Sequence, residues 1–285
     1  MANIRVIKRR IRSVQNTAKI TKAMQMIAAS KMRRAQQLTV AGRPYAEKML
    51  DVLADLAAQP GDSEDVHPLL QQREVRRIQV IHITPDRGLC GGLNSNLNRA
   101  SGQLITEQQV PASVIAVGRK GRDFMVRFGC EVRAVFTNLG DRPTVEDIRP
   151  IAYLALEDYT NGDVDRVLLT YSQFVSTAIQ KPVIQQLLPV QPAALEPSQA
   201  VGYIYEPRSA VVLGSLLPRF VEMQIYHALL ESIASEHSAR MVAMRNATDS
   251  ANDMADSLTL MLNKVRQESI TKELLDIVGG VAALE

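Results

Sequence analysis

Three glycines and a cysteine follow the first strand-like segment of the chain, and their types could support phosphate binding or nucleophilic attack. The glycines are Gly88, Gly91 and Gly92. A phosphate-binding loop of the Walker type needs a Lys and then a Ser or Thr after its last glycine, whereas Leu93 and Asn94 follow here. The dinucleotide fingerprint fails in its glycine spacing and in the acidic residue expected about 20 positions later. The pattern therefore favours a tight structural turn over a nucleotide site.

Cys90 lies inside this turn, near the start of a predicted helix whose dipole could lower the pKa of the thiol. The sequence indicates no base beside it, because His82 lies on the preceding strand. His227 and His237 are ten residues apart and lack the i, i+4 spacing of zinc ligands on a helix. We interpret them as polar residues that set the register of a helix seam. We expect no catalytic residue, no metal site and no cofactor.

A long helix is predicted at the start of the chain, where residues 1–41 contain no Gly or Pro. Apolar residues recur there at alternating spacings of three and four, which is typical of a coiled-coil seam. The seam positions are Ile4, Ile7, Ile11, Val14 and Ala18 and, after a change of phase, Met24, Ala28, Met32, Ala35 and Leu38. Gly42 and Pro44 predict a kink or break before the helix resumes.

A second and longer helix is predicted at the other end, where residues 219–278 contain no Gly or Pro. A helix of that length is about 90 Å long and exceeds ordinary globular helices, which indicates a coiled coil. Steps of four and three from Leu216 define its seam. The positions are Leu216, Phe220, Met223, His227, Leu230, Ala234, His237, Met241, Met244, Thr248, Ala251, Ala255, Leu258, Leu262 and Val265. We expect the two helices to pair antiparallel.

Between the helices, short apolar segments alternate with helical ones, which predicts a largely parallel sheet in a Rossmann-like α/β domain. Strands are predicted at residues 77–84, 113–117, 131–136 and 166–171, with an edge strand at 183–188. Helices are predicted near 95–109, 120–128 and 145–159. The predicted organisation is an N-terminal coiled-coil helix (1–58), an α/β domain (75–190), a linker (191–208) and a C-terminal coiled-coil helix (209–285).

The charge is distributed unevenly along the chain of 285 residues, whose net charge is +3. Residues 1–46 contain eleven Lys or Arg and no acid, so the remainder carries 22 basic and 30 acidic residues, or −8. Such a basic end indicates an acidic partner, a nucleic acid, a membrane surface or an organelle transit peptide, and the unbroken seam beyond residue 30 disfavours the last of these. No apolar run approaches the 18 residues of a membrane span, so membrane association is expected only through partners. The two cysteines are expected to be free thiols in a reducing compartment.

Four ordered blocks make the sequence resemble the gamma subunit of F-type ATP synthases. The first comprises residues 13–17, 19–24 and 28–33 (SVQNT, KITKAM and AASKMR); the others are 86–94 (DRGLCGGLN), 236–244 (EHSARMVAM) and 266–274 (RQESITKEL). One departure is Gly280-Val281, where the family usually has Gly-Ala. The chain also lacks the cysteine-paired insertion of chloroplast-type subunits, which implies a bacterial type without thiol regulation.

The resemblance implies a non-catalytic shaft that turns inside a hexamer of alpha and beta subunits. It also implies contact with the epsilon subunit and the c-ring, at the cytoplasmic face of the bacterial plasma membrane. Acidic loops on the family's beta subunits would complement the basic helix. The implied contacts with the hexamer are Lys8, Arg9, Lys19, Lys22, Met24, Arg33, Arg240, Arg266, Gln267, Thr271 and Glu273.

Two other classes stay open from the residues alone. A nucleic-acid-binding coiled coil would use the basic end on phosphates, although the sequence has no aromatic interleaving there. An enzyme of the Rossmann type would need a cofactor site, and the glycine turn does not match one.

Overall fold

The computed structural model describes residues 4–58, 67–191, 206 and 208–282. Two long helices enclose the other elements in sequence: α1 (Ile4–Ala58) begins the described chain and α5 (Ser209–Ala282) ends it. Between them lie a 3₁₀ turn (Pro68–Leu70), β1 (Ile78–Ile83), α2 (Leu93–Gln108), β2 (Ala112–Val117), α3 (Arg119–Phe128), β3 (Glu131–Phe136), α4 (Val145–Thr160), β4 (Arg166–Phe174) and β5 (Gln180–Leu188).

The five strands form one sheet in the order β3-β2-β1-β4-β5. The first four are parallel, and β5 pairs antiparallel with β4 at the edge. Parallel neighbours need crossover connections, which α2, α3 and α4 supply. The predicted Rossmann-like α/β class with a long antiparallel helix pair is confirmed.

Two compact units divide the chain, and the larger comprises residues 29–240. Its central strand β1 is buried along its whole length, as expected of a parallel strand covered on both faces. Ile78 and Val80 pack with Leu104 of α2, whereas Ile81 and Ile83 belong to the main core with α4 and α5. The part of α5 within this unit therefore belongs to the core of the α/β domain.

The smaller unit consists of residues 1–28 and 241–285, which contain parts of α1 and α5. Its buried interior includes Thr21 and Thr248, whose hydroxyl oxygens lie 2.6 Å apart. A polar pair at a single seam level fixes the register of two helices, because any slip would leave both hydroxyls without each other. The register places the start of α1 beside the turns of α5 near residue 265, so the later turns of α5 have no partner in α1.

All fifteen predicted seam positions on α5 are buried or half-buried. The same holds for every predicted seam position on α1. The change of phase expected after Ala18 is absent, because buried Thr21 and half-buried Gln25 continue the spacing of three and four to Ala28. Because both residues are polar, the apolar pattern alone did not show that the seam is continuous.

The break expected at Gly42 and Pro44 is wrong, since α1 runs through both residues. A Cβ on Gly42 would lie 3.1 Å from the ring of His227, so the glycine permits close approach of α5. Pro44 lies inside the helix, and the burial of Met49 and Leu53 beyond it stabilises the continuation. Helix α5 likewise begins before Pro218. The domain boundaries proposed from the sequence stay a prediction.

Candidate functional site

A basic stripe on α1 forms the first candidate surface. At 100° per residue, Lys8, Lys19 and Lys22 of the smaller unit lie within about 60° of one another around the helix. All three are exposed, and so is Arg33, which belongs to the larger unit. Arg9 is also exposed and lies outside the stripe, while Met24 is half-buried at the seam. The stripe therefore presents cations along one line with no acid from α1 between residues 4 and 46.

The last turns of α5 form the second candidate surface. Every residue from 270 to 279 is exposed, although several are large and apolar. Leu275 is 66% exposed and Ile277 is 64% exposed. Arg266, Gln267, Thr271 and Glu273, which the sequence proposed as contacts, lie exposed on these turns or just before them. An apolar helix end of this kind is typical of a surface that a partner covers.

Arg240 differs from the other proposed contact residues, because its own chain already holds it. Its side chain is 11% exposed and pairs with Glu236 at 2.7 Å. The same guanidinium donates a hydrogen bond to the carbonyl oxygen of Gly88 at 3.1 Å. The structure thus brings Arg240 to the glycine turn of the α/β domain, and its contact with another subunit stays a prediction.

The glycine turn lies at the end of the nine-residue connection, residues 84–92, that joins β1 to α2. Gly91 adopts a left-handed φ of 59°, which a glycine accepts without steric cost. Gly92 is the N-cap residue of α2, and its carbonyl oxygen accepts from the Asn96 amide. Arg240 reaches the loop after β1, which lies at the edge where parallel α/β folds bind ligands. The turn therefore presents its Gly88 carbonyl to a guanidinium.

Cys90 lies buried within the turn. Burial raises the pKa of its thiol, although Arg240 acts in the opposite direction. The Asn94 side-chain amide donates to the sulfur at 3.3 Å. A raised pKa disfavours the thiolate, which is the reactive form of cysteine. His82 is engaged elsewhere, with Thr170, Asn98 and Ser101.

The seam histidines also have partners within their unit. His237 is buried, and its Nε2 atom lies 2.9 Å from Asp141 Oδ1. Asp141, in the loop after β3, also pairs with Lys31 at 2.6 Å. Sequence reasoning missed this cluster, because its members lie up to 206 positions apart, from Lys31 to His237, and share no motif. Within the described ranges, no group of three or more His, Cys, Asp or Glu could hold a metal ion.

No helix in the described part of the chain is both long and apolar enough to cross a membrane.

The fold and its surfaces define a class of protein: one unit holds a largely parallel α/β domain, and the other holds a pair of long helices with basic and apolar exposed surfaces. A family model described as ATP synthase matches residues 3–284. The chain belongs to this family and, within it, to the ATP synthase gamma chains.

Curated relatives match over the whole length. The chain is 62% identical over 284 residues to the ATP synthase gamma chain of Dehalococcoides mccartyi strain CBDB1, covering 100% of each. It is 50% identical over 288 residues to that of Chloroflexus aurantiacus strain J-10-fl, covering 100% of this chain and 99% of the relative. The identification from the four sequence blocks is therefore confirmed.

Solved structures agree in fold. A chain of the Tetrahymena thermophila mitochondrial ATP synthase central stalk and c-ring has a TM-score of 0.62 and 26% identity, covering 80% of this chain and 99% of that chain. A chain of the Euglena gracilis mitochondrial ATP synthase assembly of OSCP, F1 and c-ring has a TM-score of 0.70 and 22% identity, covering 99% and 94%.

Proposed function

We propose that this chain is the central rotor shaft of a bacterial ATP synthase and couples rotation of the c-ring to catalysis on the beta subunits. The observation that carries the proposal is the uncovered end of α5, whose exposed apolar residues continue a helix paired only as far as residue 265. Burying such apolar area in a sleeve of the hexamer is favourable by about 25 cal/mol per Å².

The coupling requires that one asymmetric chain contacts three identical beta subunits through different faces. A ligand shifts a conformational equilibrium only by its difference in affinity for the two states. The cations of Lys8, Lys19 and Lys22 lie on one side of α1, so at any moment they face one part of the hexamer. Acidic loops on the beta subunits are the complementary partners.

The chain contributes no catalytic group in this proposal, and ATP is made at beta-subunit sites. Epsilon and the c-ring bind the α/β domain, and these partners hold the chain at the cytoplasmic face of the membrane. The nucleic-acid alternative has no support, because the family model matches residues 3–284.

The test replaces two exposed contact residues near the end of α5, Thr271→Ala and Glu273→Ala. Both are exposed on α5, so the fold should persist. The complex is reconstituted in vesicles, and ATP hydrolysis and ion pumping are measured together. We expect hydrolysis to continue while the number of ions pumped per ATP falls severalfold.

The matched control is Thr106→Ala with Glu107→Ala, a threonine and a glutamate exposed on α2 of the α/β domain. This control should pump as the wild type does. Unchanged pumping in the Thr271 and Glu273 variant would show that these residues do not transmit coupling. A wild-type chain that does not assemble with alpha and beta subunits would overturn the proposed function itself.

A further inference from the structure

A chain of polar contacts joins both long helices to two loops of the larger unit. Lys31 of α1 pairs with Asp141 at 2.6 Å, and Asp141 accepts from His237 of α5 at 2.9 Å. Arg240, one turn further along α5, donates to the Gly88 carbonyl oxygen at 3.1 Å. We call Lys31, Asp141, His237 and Arg240 the junction cluster.

The hydrogen-bond pattern is complete when His237 is neutral. With its proton on Nε2, the ring donates to Asp141 and leaves Nδ1 as an acceptor. An Arg240 nitrogen lies 3.4 Å from Nδ1 and can donate to it. Burial lowers the pKa of His237, which agrees with the neutral ring. Each hydrogen-bond donor described here thus faces an acceptor.

The polar contacts that contribute most to stability are those between buried side chains. Lys31 and Asp141 have side-chain exposures of 37% and 46%, and exposed ion pairs contribute little. His237 is buried, and Arg240 and Glu236 have side-chain exposures of 11% and 17%. The two strong connections are therefore from Arg240 to the loop after β1 and from His237 to the loop after β3.

These connections differ in kind from the packing around them. Helix α5 contacts the sheet mainly through apolar side chains such as Leu217, Val221 and Ile225. Hydrophobic packing is non-directional, so it resists separation more than it resists sliding. Hydrogen bonds weaken steeply when their angle changes. Neutral hydrogen bonds from Ser235 to the Ser172 carbonyl oxygen and from Ser238 to the Thr177 carbonyl oxygen, both at 2.8 Å, also resist rotation of α5 against the α/β domain. The junction cluster adds charge-assisted contacts to them, which are the stronger kind.

We propose that the junction cluster is a torque-bearing contact of the α/β domain: His237 and Arg240 are positioning residues that help to prevent α5 from turning independently of the sheet. The inference rests on the proposed function, because only a rotor needs to carry torque. The cluster lies where α1 and α5 each continue beyond the larger unit as uninterrupted helices. Twist applied to the α/β domain enters both helices here.

The test uses Arg240→Gln in the complete complex, with Arg142→Gln as the matched control. Arg142 neighbours Asp141, is exposed, and has no hydrogen bond or ion pair within the part of the chain described. Hydrogen exchange of the amides in residues 86–92 should become about tenfold faster in Arg240→Gln, because one charge-assisted hydrogen bond is lost. The control should exchange at the wild-type rate.

Rotation is then observed with a bead on a cysteine introduced at Gln103, which is exposed on α2. The angular variance of the paused bead should rise by less than about twofold, because one charge-assisted connection is lost while other hydrogen bonds between α5 and the domain remain. Arg240→Lys, which keeps the charge, should recover part of the stiffness. His237→Leu should also broaden the distribution, since it breaks the second connection. Ions pumped per ATP should fall in parallel.

Faster exchange with unchanged bead variance would overturn the inference, because the contact would then be structural without carrying torque. Unchanged exchange would overturn it as well, since the hydrogen bond would not hold the loop. Should Arg240→Gln fail to fold, the exposed variant Asp141→Ala, which removes the acceptor, tests the His237 connection with the same readouts. A wild-type chain that assembles but never rotates would instead overturn the proposed function. If the wild type rotates and only the variants give an unexpected result, the proposed function stands.

Discussion

The pH dependence of folding stability can be predicted quantitatively at His82, because this histidine is fully buried and its hydrogen-bond partners are all uncharged. Its Nε2 atom lies 2.9 Å from Asn98 Oδ1, and Nδ1 lies 2.8 Å from the Thr170 hydroxyl and 3.1 Å from that of Ser101. A neutral ring with its proton on Nε2 fits these partners. The perturbation is acidification, compared between the wild type and His82→Gln.

The size of the expected loss in folding stability follows from the lowered pKa of His82. Burial lowers the pKa of His82 from 6.5 to about 4, while its hydrogen bond to Asn98 acts in the opposite direction. Above pH 6.5 the ring is neutral in both states. Between these two values the unfolded chain binds a proton that the folded chain rejects, so stability falls as the pH falls. The total loss is about 3 kcal/mol, complete below the folded pKa.

The assay is the free energy of unfolding in urea between pH 8 and pH 4 for both proteins. Glutamine cannot titrate, so His82→Gln should be less stable than the wild type at pH 8 and should lose about 3 kcal/mol less on acidification. An NMR titration of the ring in the wild type should show no protonation near pH 6. Parallel stability curves for the two proteins would refute the argument that burial sets this pKa.

Two further predictions concern steric fit and register. Gly118→Ala should destabilise the α/β domain by more than about 3 kcal/mol, because the new Cβ would lie 1.9 Å from the Thr84 carbonyl oxygen; the control Gly129→Ala, with a similar φ and no neighbour within 4 Å, should cost only about 1 kcal/mol in urea unfolding. Thr21→Val and Thr248→Val should each cost only about 0.5–1.5 kcal/mol, because the remaining hydroxyl still donates to a carbonyl of its own helix, and the double variant should cost less than the sum of the two. Additive costs in that cycle would contradict the pairing of the hydroxyls.

The sheet and the long helices could be predicted because their signals are local. The predicted strand at 131–136 coincides with β3, and the α5 seam predicted from Leu216 contains no exposed position. Apolar periodicity reports burial directly, since a helix or strand repeats its buried face at a fixed interval. The continuity of α1 was harder to predict, because Thr21 is polar and Pro44 usually ends a helix.

The junction cluster could not be predicted, because its contacts depend on tertiary structure. Asp141 in a loop after β3 meets His237, 96 positions later, and Arg240 meets Gly88 across 152 positions. A single sequence carries no distance between such residues. Sequence similarity proposed Arg240 as a contact between subunits, whereas its intramolecular partners emerge only from the fold.

The pairing of Thr21 with Thr248 has a consequence for synthesis on the ribosome. The two residues are 227 positions apart, and translation at about 5–20 residues per second separates their emergence by roughly 10–45 s. Throughout that interval the seam of the first helix, with Ile7 and Ala18, has no partner. The density of positive charge beside it opposes self-association of nascent chains by repulsion. The first helix to be synthesised is thus among the last elements to pack against its partner.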